Sequence, residues 1–190
     1  MKKNLITSFL MTIVMTVLLG LIYPLVVTGL AQILFRNKAN GQIIERNGSA
    51  IGSRIIAQPF TSGKYFHPRP SNAGNGYDAA NSGGTNLGPT NQKLIDRVRS
   101  DAASLQPENP TQPIPVDLIT TSASGLDPDI SPAGADFQIP RVARERGVSQ
   151  STIRDLVQKH VRQRGLGLLG EPRVNVLELN LDLDTLTSHQ

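Results

Sequence analysis

Few residues in this 190-residue chain are spaced for chemistry. The first group is Asn81-Ser82-Gly83-Gly84-Thr85-Asn86, where Gly-rich backbone beside a hydroxyl can curl into a nest of N–H groups around a phosphate. It lacks the lysine and the spacing of a Walker loop, and a plain glycine turn has the same composition. A second group is Asp127 and Asp129 on either side of Pro128. Two carboxylates there could meet a cation, but Asp beside Pro more often closes an Asx-turn or caps a helix. His67, His160 and His189 stand far apart and in no metal-ligand spacing. There is no cysteine, so thiolate zinc, disulfides and cysteine nucleophiles are excluded. No serine pattern comes with a paired histidine and acid, so nothing here forms a self-sufficient catalytic site.

A further pattern runs from Arg141 to Val157: a short helix, Gly147, then a helix opening with Ser149. This has the outline of a helix-turn-helix, with Ser149, Gln150, Ser151, Thr152 and Arg154 as base and phosphate contacts. The alternative is an αα-corner in which Arg141, Arg144, Arg146, Arg162 and Arg164 are solvated charge. A membrane-tethered DNA regulator is therefore one possible reading. The net charge of +4 and the absence of a long basic run give it little support.

The element that must hold everything else is Leu5 to Phe35, an uncharged apolar stretch with Lys2 and Lys3 before it and Arg36 and Lys38 after it. A bilayer-spanning helix needs about 20 apolar residues. A secretory signal shares the basic start, but its apolar region runs only about 7–15 residues. Ser8, Thr12, Thr16 and Gly20 recur four apart and put small residues on one face, where another helix can approach closely. Positive charge is nearly balanced across the stretch, so charge counting does not orient it. We divide the chain into an anchor, residues 1–38, and a soluble domain, residues 39–190.

In that domain, two β-branched runs flank Arg46-Asn47-Gly48-Ser49, a hairpin signal. Pro59 to Asn91 is irregular yet carries Phe60, Tyr65, Phe66 and Tyr77. Disordered segments are poor in aromatics, so we expect an ordered loop that serves as an interaction surface. Thr90 or Asn91 caps a helix reaching about Leu105. Ser131-Pro132 is a helix start. Further helices are expected over Pro140–Arg146 and about Gln150–Arg164, with Gly147 and Gly165 as stops. From Arg173 to Leu183 apolar and polar residues alternate, which predicts a half-buried strand. Aromatics are only 4% of the chain, and 17 glycines with 13 prolines require much turn and loop. The class is α+β: one transmembrane helix, then a few-stranded sheet with about three helices.

Several blocks, in order along nearly the whole chain, resemble one family. They are Tyr23-Pro24 with Thr28-Gly29-Leu30-Ala31-Gln32, Tyr65-Phe66-His67-Pro68-Arg69-Pro70-Ser71, and Asn81 through Asn91. Ser124 through Pro132, Arg141-Val142-Ala143 and Gly170 through Leu177 complete the set. Together they resemble the C subunit (KdpC) of the Kdp potassium-transporting P-type ATPase of bacteria.

That resemblance implies a non-catalytic subunit with one membrane helix, aiding assembly and raising the ATP affinity of the ATPase subunit. Its implied partners are that P-type ATPase subunit, a channel-like potassium subunit and a very small peptide, with no nucleic acid. It implies the inner membrane, a cytoplasmic N-terminus and an extracytoplasmic domain. It also carries ATP to the Ser-Gly loop, here Ser82, Gly83, Gly84, Thr85 and Asn86. Asn81 and the Gly84-Thr85 pair depart from the family's Ser-Ser-Gly-Ser-Asn pattern. A loop outside the cytoplasm does not meet cytoplasmic ATP. The better match to that topology is the aromatic loop docking beside the potassium entrance of the channel subunit.

Overall fold

The computed structural model describes residues 1–46 and 48–187, without the side chain of Thr187. Asn47 of the expected turn and His189 lie outside the described residues. The chain divides into two compact units, Met1–Ile51 and Gly52–Gln190.

In the first unit the apolar stretch is helical from Lys2 to Leu34, 33 residues with a window of mean hydropathy 2.5 and no buried residue. At 1.5 Å per residue that is about 50 Å, more than the roughly 30 Å of a hydrocarbon core. The helix is α1 (Lys2–Val17), a π-turn (Leu18–Ile22) and α2 (Tyr23–Leu34). The π-turn has a local cause. Pro24 has no N–H to give and its ring crowds the carbonyl four residues back. The preceding turn widens instead, and the Tyr23 N–H reaches the Leu18 carbonyl. Ser8, Met11, Thr12, Met15, Thr16, Leu19 and Gly20 line a shallow groove along α1 and the π-turn. Thr12 satisfies its hydroxyl on the Ser8 carbonyl at 2.9 Å. A short α3 (Arg36–Ala39) follows, and β1 (Ile43–Arg46) pairs with β2 (Ser49–Ser53) as the expected hairpin.

The second unit is built on helices around a very small sheet. Asn91 caps α4 (Gln92–Leu105) by accepting from the Lys93 N–H. Strands β3 (Asp129–Ile130), β4 (Val161–Arg162) and β5 (Arg173–Asn175) form an antiparallel sheet in the order β3-β5-β4. Its register pairs Ile130 and Val161 with opposite edges of Val174. Against it pack α5 (Pro132–Arg146), α6 (Gln150–His160) and α7 (Val176–Thr187). Phe66, Phe137, Ile139, Val142, Ile153, Val157, Val174, Leu179 and Leu183 make the core, each with no exposed surface.

The α+β class is as expected, with three local differences. Helix α5 starts at Ser131-Pro132 and runs through Pro140 instead of starting there. The interior proline costs one hydrogen bond, and burial of Phe137, Ile139 and Val142 on the same helix offsets it. Helix α6 stops at His160 and hands Val161 to the sheet.

The largest difference is at the C-terminus, where the expected strand lasts only three residues and becomes α7. The buried positions are Val176, Leu179, Asn180 and Leu183, a helical spacing. Asn175 supplies the cap by accepting from the Glu178 N–H at 3.1 Å. No β-branched residue follows Val176 before Thr185, and leucine favours the helix.

Candidate functional site

The loop from Pro59 to Asn91 has no helix or strand, so its backbone polar groups need other partners. Two carboxamides supply them. Asn180 on α7 takes the Phe66 N–H at 2.8 Å and returns its own N–H to the Phe66 carbonyl at 2.9 Å. Gln138 on α5 does the same for His67, at 2.7 and 3.1 Å. Each amide stands in for a neighbouring strand. The Gln138 oxygen also accepts from Arg141 at 2.7 Å. The Arg141 guanidinium reaches the carbonyls of Gly63 (2.6 Å) and Tyr65 (2.9 Å) and the Glu108 carboxylate (2.7 Å). Arg146 holds the Lys64 carbonyl at 2.7 Å, pairs with Asp184 at 2.8 Å, and lies over the Tyr65 ring.

Two expectations change here. Arg141 and Arg146 are not solvated charge: their side chains are almost entirely buried. The aromatics that suggested an outward interaction surface turn inward. Phe66 is in the core, Tyr77 donates to the Arg69 carbonyl at 2.8 Å, and Phe60 packs against Tyr65 and the core. The loop is ordered, as expected, because Phe66 and the bonds from Gln138, Arg141, Arg146 and Asn180 tie it to the core. Burial holds His67 below the usual imidazole range, and the charge of Arg141 lowers it further. Burial raises the Tyr77 phenol.

The Ser-Gly segment lies against residues 122–125. The Gly83 N–H (2.8 Å) and the Ser82 hydroxyl (3.0 Å) both donate to the Ser124 carbonyl. Asn72 donates to the Gly84 carbonyl at 3.2 Å. Thr85 and Asn86 make no side-chain hydrogen bond among the described residues, and Asn86 sits at φ +52°. Gly125 makes this close approach possible. Its φ is +68°, and a Cβ there would stand 2.7 Å from both the Ala73 nitrogen and the Gly83 oxygen.

Asp127 and Asp129 come together with Arg69, Asp117, Ser131, Glu171 and Arg173 around a cleft of about 260 Å³. Their carboxylates serve the fold. Asp127 accepts the Asp129 N–H at 3.1 Å, an Asx-turn, and pairs with Arg69 at 3.2 Å. Asp117 accepts from the N–H (2.7 Å) and hydroxyl (3.1 Å) of Ser131, fixing the start of α5. Asp129 pairs with Arg173 at 2.9 Å and with Asn175 at 3.1 Å. Burial pushes the Asp129 carboxyl above the usual range, with the Asn175 hydrogen bond and Arg173 acting against it.

In the helix-turn-helix outline, Ser149 caps α6 through the Thr152 N–H at 3.1 Å. The hydroxyls of Ser149, Ser151 and Thr152 bond among themselves, while Gln150 and Arg154 are exposed. His67 and His160 stay apart in use as well: His67 faces the Ser62 carbonyl and His160 pairs with Asp182.

The residues that sequence reasoning missed are Gln138, Arg141, Arg146 and Asn180. Their signal was present as polar side chains within apolar helical faces, Asn180 among leucines and Gln138 among Phe137, Ile139 and Val142. Such residues must find buried partners.

Comparison with known proteins decides what this scaffold belongs to. The family model described as "KdpC: K+-transporting ATPase, c chain" matches residues 5–185. The chain belongs to the KdpC family. It is 72% identical over 184 residues to a potassium-transporting ATPase KdpC subunit of Koribacter versatilis (strain Ellin345), covering 97% of this chain and 95% of that one. It is 53% identical to the KdpC subunit of Rhodopseudomonas palustris (strain BisB18), over 97% of this chain and 98% of the relative. The KdpC subunit of Acidobacterium capsulatum is 54% identical, with 97% and 99% covered. A KdpC chain is one subunit of a potassium-transporting ATPase complex, so partner subunits are implied. The match spans both the N-terminal helix and the loop-bearing unit.

Proposed function

We propose that this chain is a non-catalytic accessory subunit of an ATP-driven, high-affinity potassium-transport complex. It aids assembly and raises the ATP affinity of the ATPase subunit. Membership of the potassium-transporting ATPase c-chain family over residues 5–185 carries the reading. The geometry supports it: Gln138, Arg141, Arg146 and Asn180 are bonded to loop backbone, as in a rigid scaffold. The helix Lys2–Leu34 anchors the chain in the plasma (inner) membrane, with the N-terminus cytoplasmic and the domain extracytoplasmic. The partners are the P-type ATPase subunit, the channel-like potassium subunit and the small peptide.

The anchor contributes to assembly through the groove lined by Ser8, Thr12, Thr16 and Gly20, where a partner helix packs closely. Enlarging Gly20 tests this. Gly20→Leu is expected to lower recovery of the other subunits with the tagged chain about 10-fold, equivalent to ~1.4 kcal/mol. Unchanged recovery removes the groove from the interface.

ATP contact at Ser82, Gly83, Gly84, Thr85 and Asn86 requires the loop to face the cytoplasm, so it is an alternative to the extracytoplasmic placement and not part of it. Thr85 and Asn86 are the members with uncommitted side chains, so they would carry the contact. The alternative of a tethered DNA-binding regulator has less support, because the hydroxyls of Ser149, Ser151 and Thr152 bond among themselves and Ser149 caps α6.

A further inference from the structure

Three highly exposed large apolar side chains of the second unit cluster in one turn, between β4 and β5. Leu166, Leu168 and Leu169 are 92%, 82% and 66% exposed. The turn is not loose. Gly165 and Leu169 exchange both backbone hydrogen bonds at 2.8 Å, and the N–H groups of Gly167 and Leu168 are taken by Arg164 and Gly165 carbonyls at 3.1 Å. Leu166 is held at φ +53°, a conformation in which a leucine is strained. Glycine or asparagine would sit there more easily. The chain instead keeps a strained leucine and points it at solvent.

The base of the turn is polar and its arginines are ion-paired. Arg164 pairs with Glu171 at 2.6 Å, Arg162 pairs with Glu178, which also holds Arg54 at 3.0 Å, and Arg173 pairs with Asp129 at 2.9 Å. That pairing discriminates between occupants. An element that enters an anionic lipid surface presents unpaired basic residues around its apolar side chains. An apolar centre inside an ion-paired polar rim has the anatomy of a protein interface. A pre-ordered turn also loses little conformational freedom on docking.

We propose that Leu166, Leu168 and Leu169 form a peg that seats in an apolar socket on a neighbouring protein subunit of the transport complex. This rests on the reading of the chain as a subunit of that complex. It places a docking point of the domain on the β4–β5 turn rather than on the aromatic loop.

The test uses the full chain expressed with the other subunits in membranes, with a photoreactive benzophenone amino acid at position 168. The expected result is a light-dependent cross-link to another protein subunit, absent when the same group replaces Val116, itself 68% exposed. Cross-linking to lipid only, or to nothing in a complex that still copurifies, overturns the peg and leaves the subunit reading intact. Failure of the unmodified chain to copurify with any other subunit overturns both. Leu166→Asn and Leu168→Asp are expected to cut recovery of partner subunits at least 10-fold, while the unfolding midpoint of the isolated chain stays level or rises. Retained recovery in both variants also overturns the proposal.

Discussion

Replacing Arg141 by leucine is expected to lower the unfolding free energy of the second unit by about 3–5 kcal/mol, the range for breaking a buried, hydrogen-bonded charge pair. The guanidinium serves four acceptors at once: the Glu108 carboxylate, the Gln138 amide oxygen, and the Gly63 and Tyr65 carbonyls. Removing it strands a carboxylate and two carbonyls in a space with little water. Lysine does not repair the loss, because a single ammonium cannot match the planar fork. Arg144→Leu, three residues along and largely exposed, is expected to change stability by no more than about 0.5 kcal/mol. Urea unfolding of the three variants checks this. Limited trypsin digestion adds a local readout: cleavage after Lys64 should accelerate in Arg141→Leu. Equal unfolding midpoints for Arg141→Leu and Arg144→Leu would show that the loop is not held as described.

A second large effect is expected at Gly125. Gly125→Ala should destabilise by roughly 2–4 kcal/mol, from strain at positive φ together with overpacking. Gly147 gives the control. Its φ is +69°, nearly the same, but a Cβ there meets nothing within 4 Å. Gly147→Ala should therefore cost only about 1–2 kcal/mol. The difference between the two variants isolates the contact of residues 122–125 with Ala73 and Gly83. If both alanines cost the same, the Ser-Gly segment does not lie against Gly125.

Much of this architecture was legible from local rules. The anchor came from apolar length, α4 from Asn91, the start of α5 from Ser131-Pro132, and the break before α6 from Gly147 and Ser149. These features depend on a few adjacent residues. The C-terminal helix was not legible by period alone. Leu177, Leu179, Leu181 and Leu183 alternate as in a strand, whereas Val176, Leu179, Asn180 and Leu183 are spaced as in a helix. Asn175 with Glu178 three residues on was the cap signal that breaks the tie.

The direction of the aromatic loop was illegible for another reason. Aromatic content gave order but not facing. Facing depends on Gln138, Arg141 and Asn180, which are more than 70 residues away in the chain. The leucine turn was passed over because Gly165 reads as a helix stop, and residues beyond a stop read as loop. The Ser-Gly segment and the Asp127–Asp129 pair were legible as turn chemistry, and both serve the fold in that way.

The accessory role is exposed most openly by the ATP dependence of potassium-stimulated hydrolysis, measured on the purified complex with and without this chain. No hydrolysis is expected from the chain alone, and a lower apparent KM for ATP is expected when the chain is present in the complex. If Thr85 and Asn86 carry nucleotide contact, replacing both by alanine in the assembled complex moves the KM back toward the chain-free value. An intact complex with the same KM in the chain's absence, or hydrolysis by the chain alone, would contradict the accessory role.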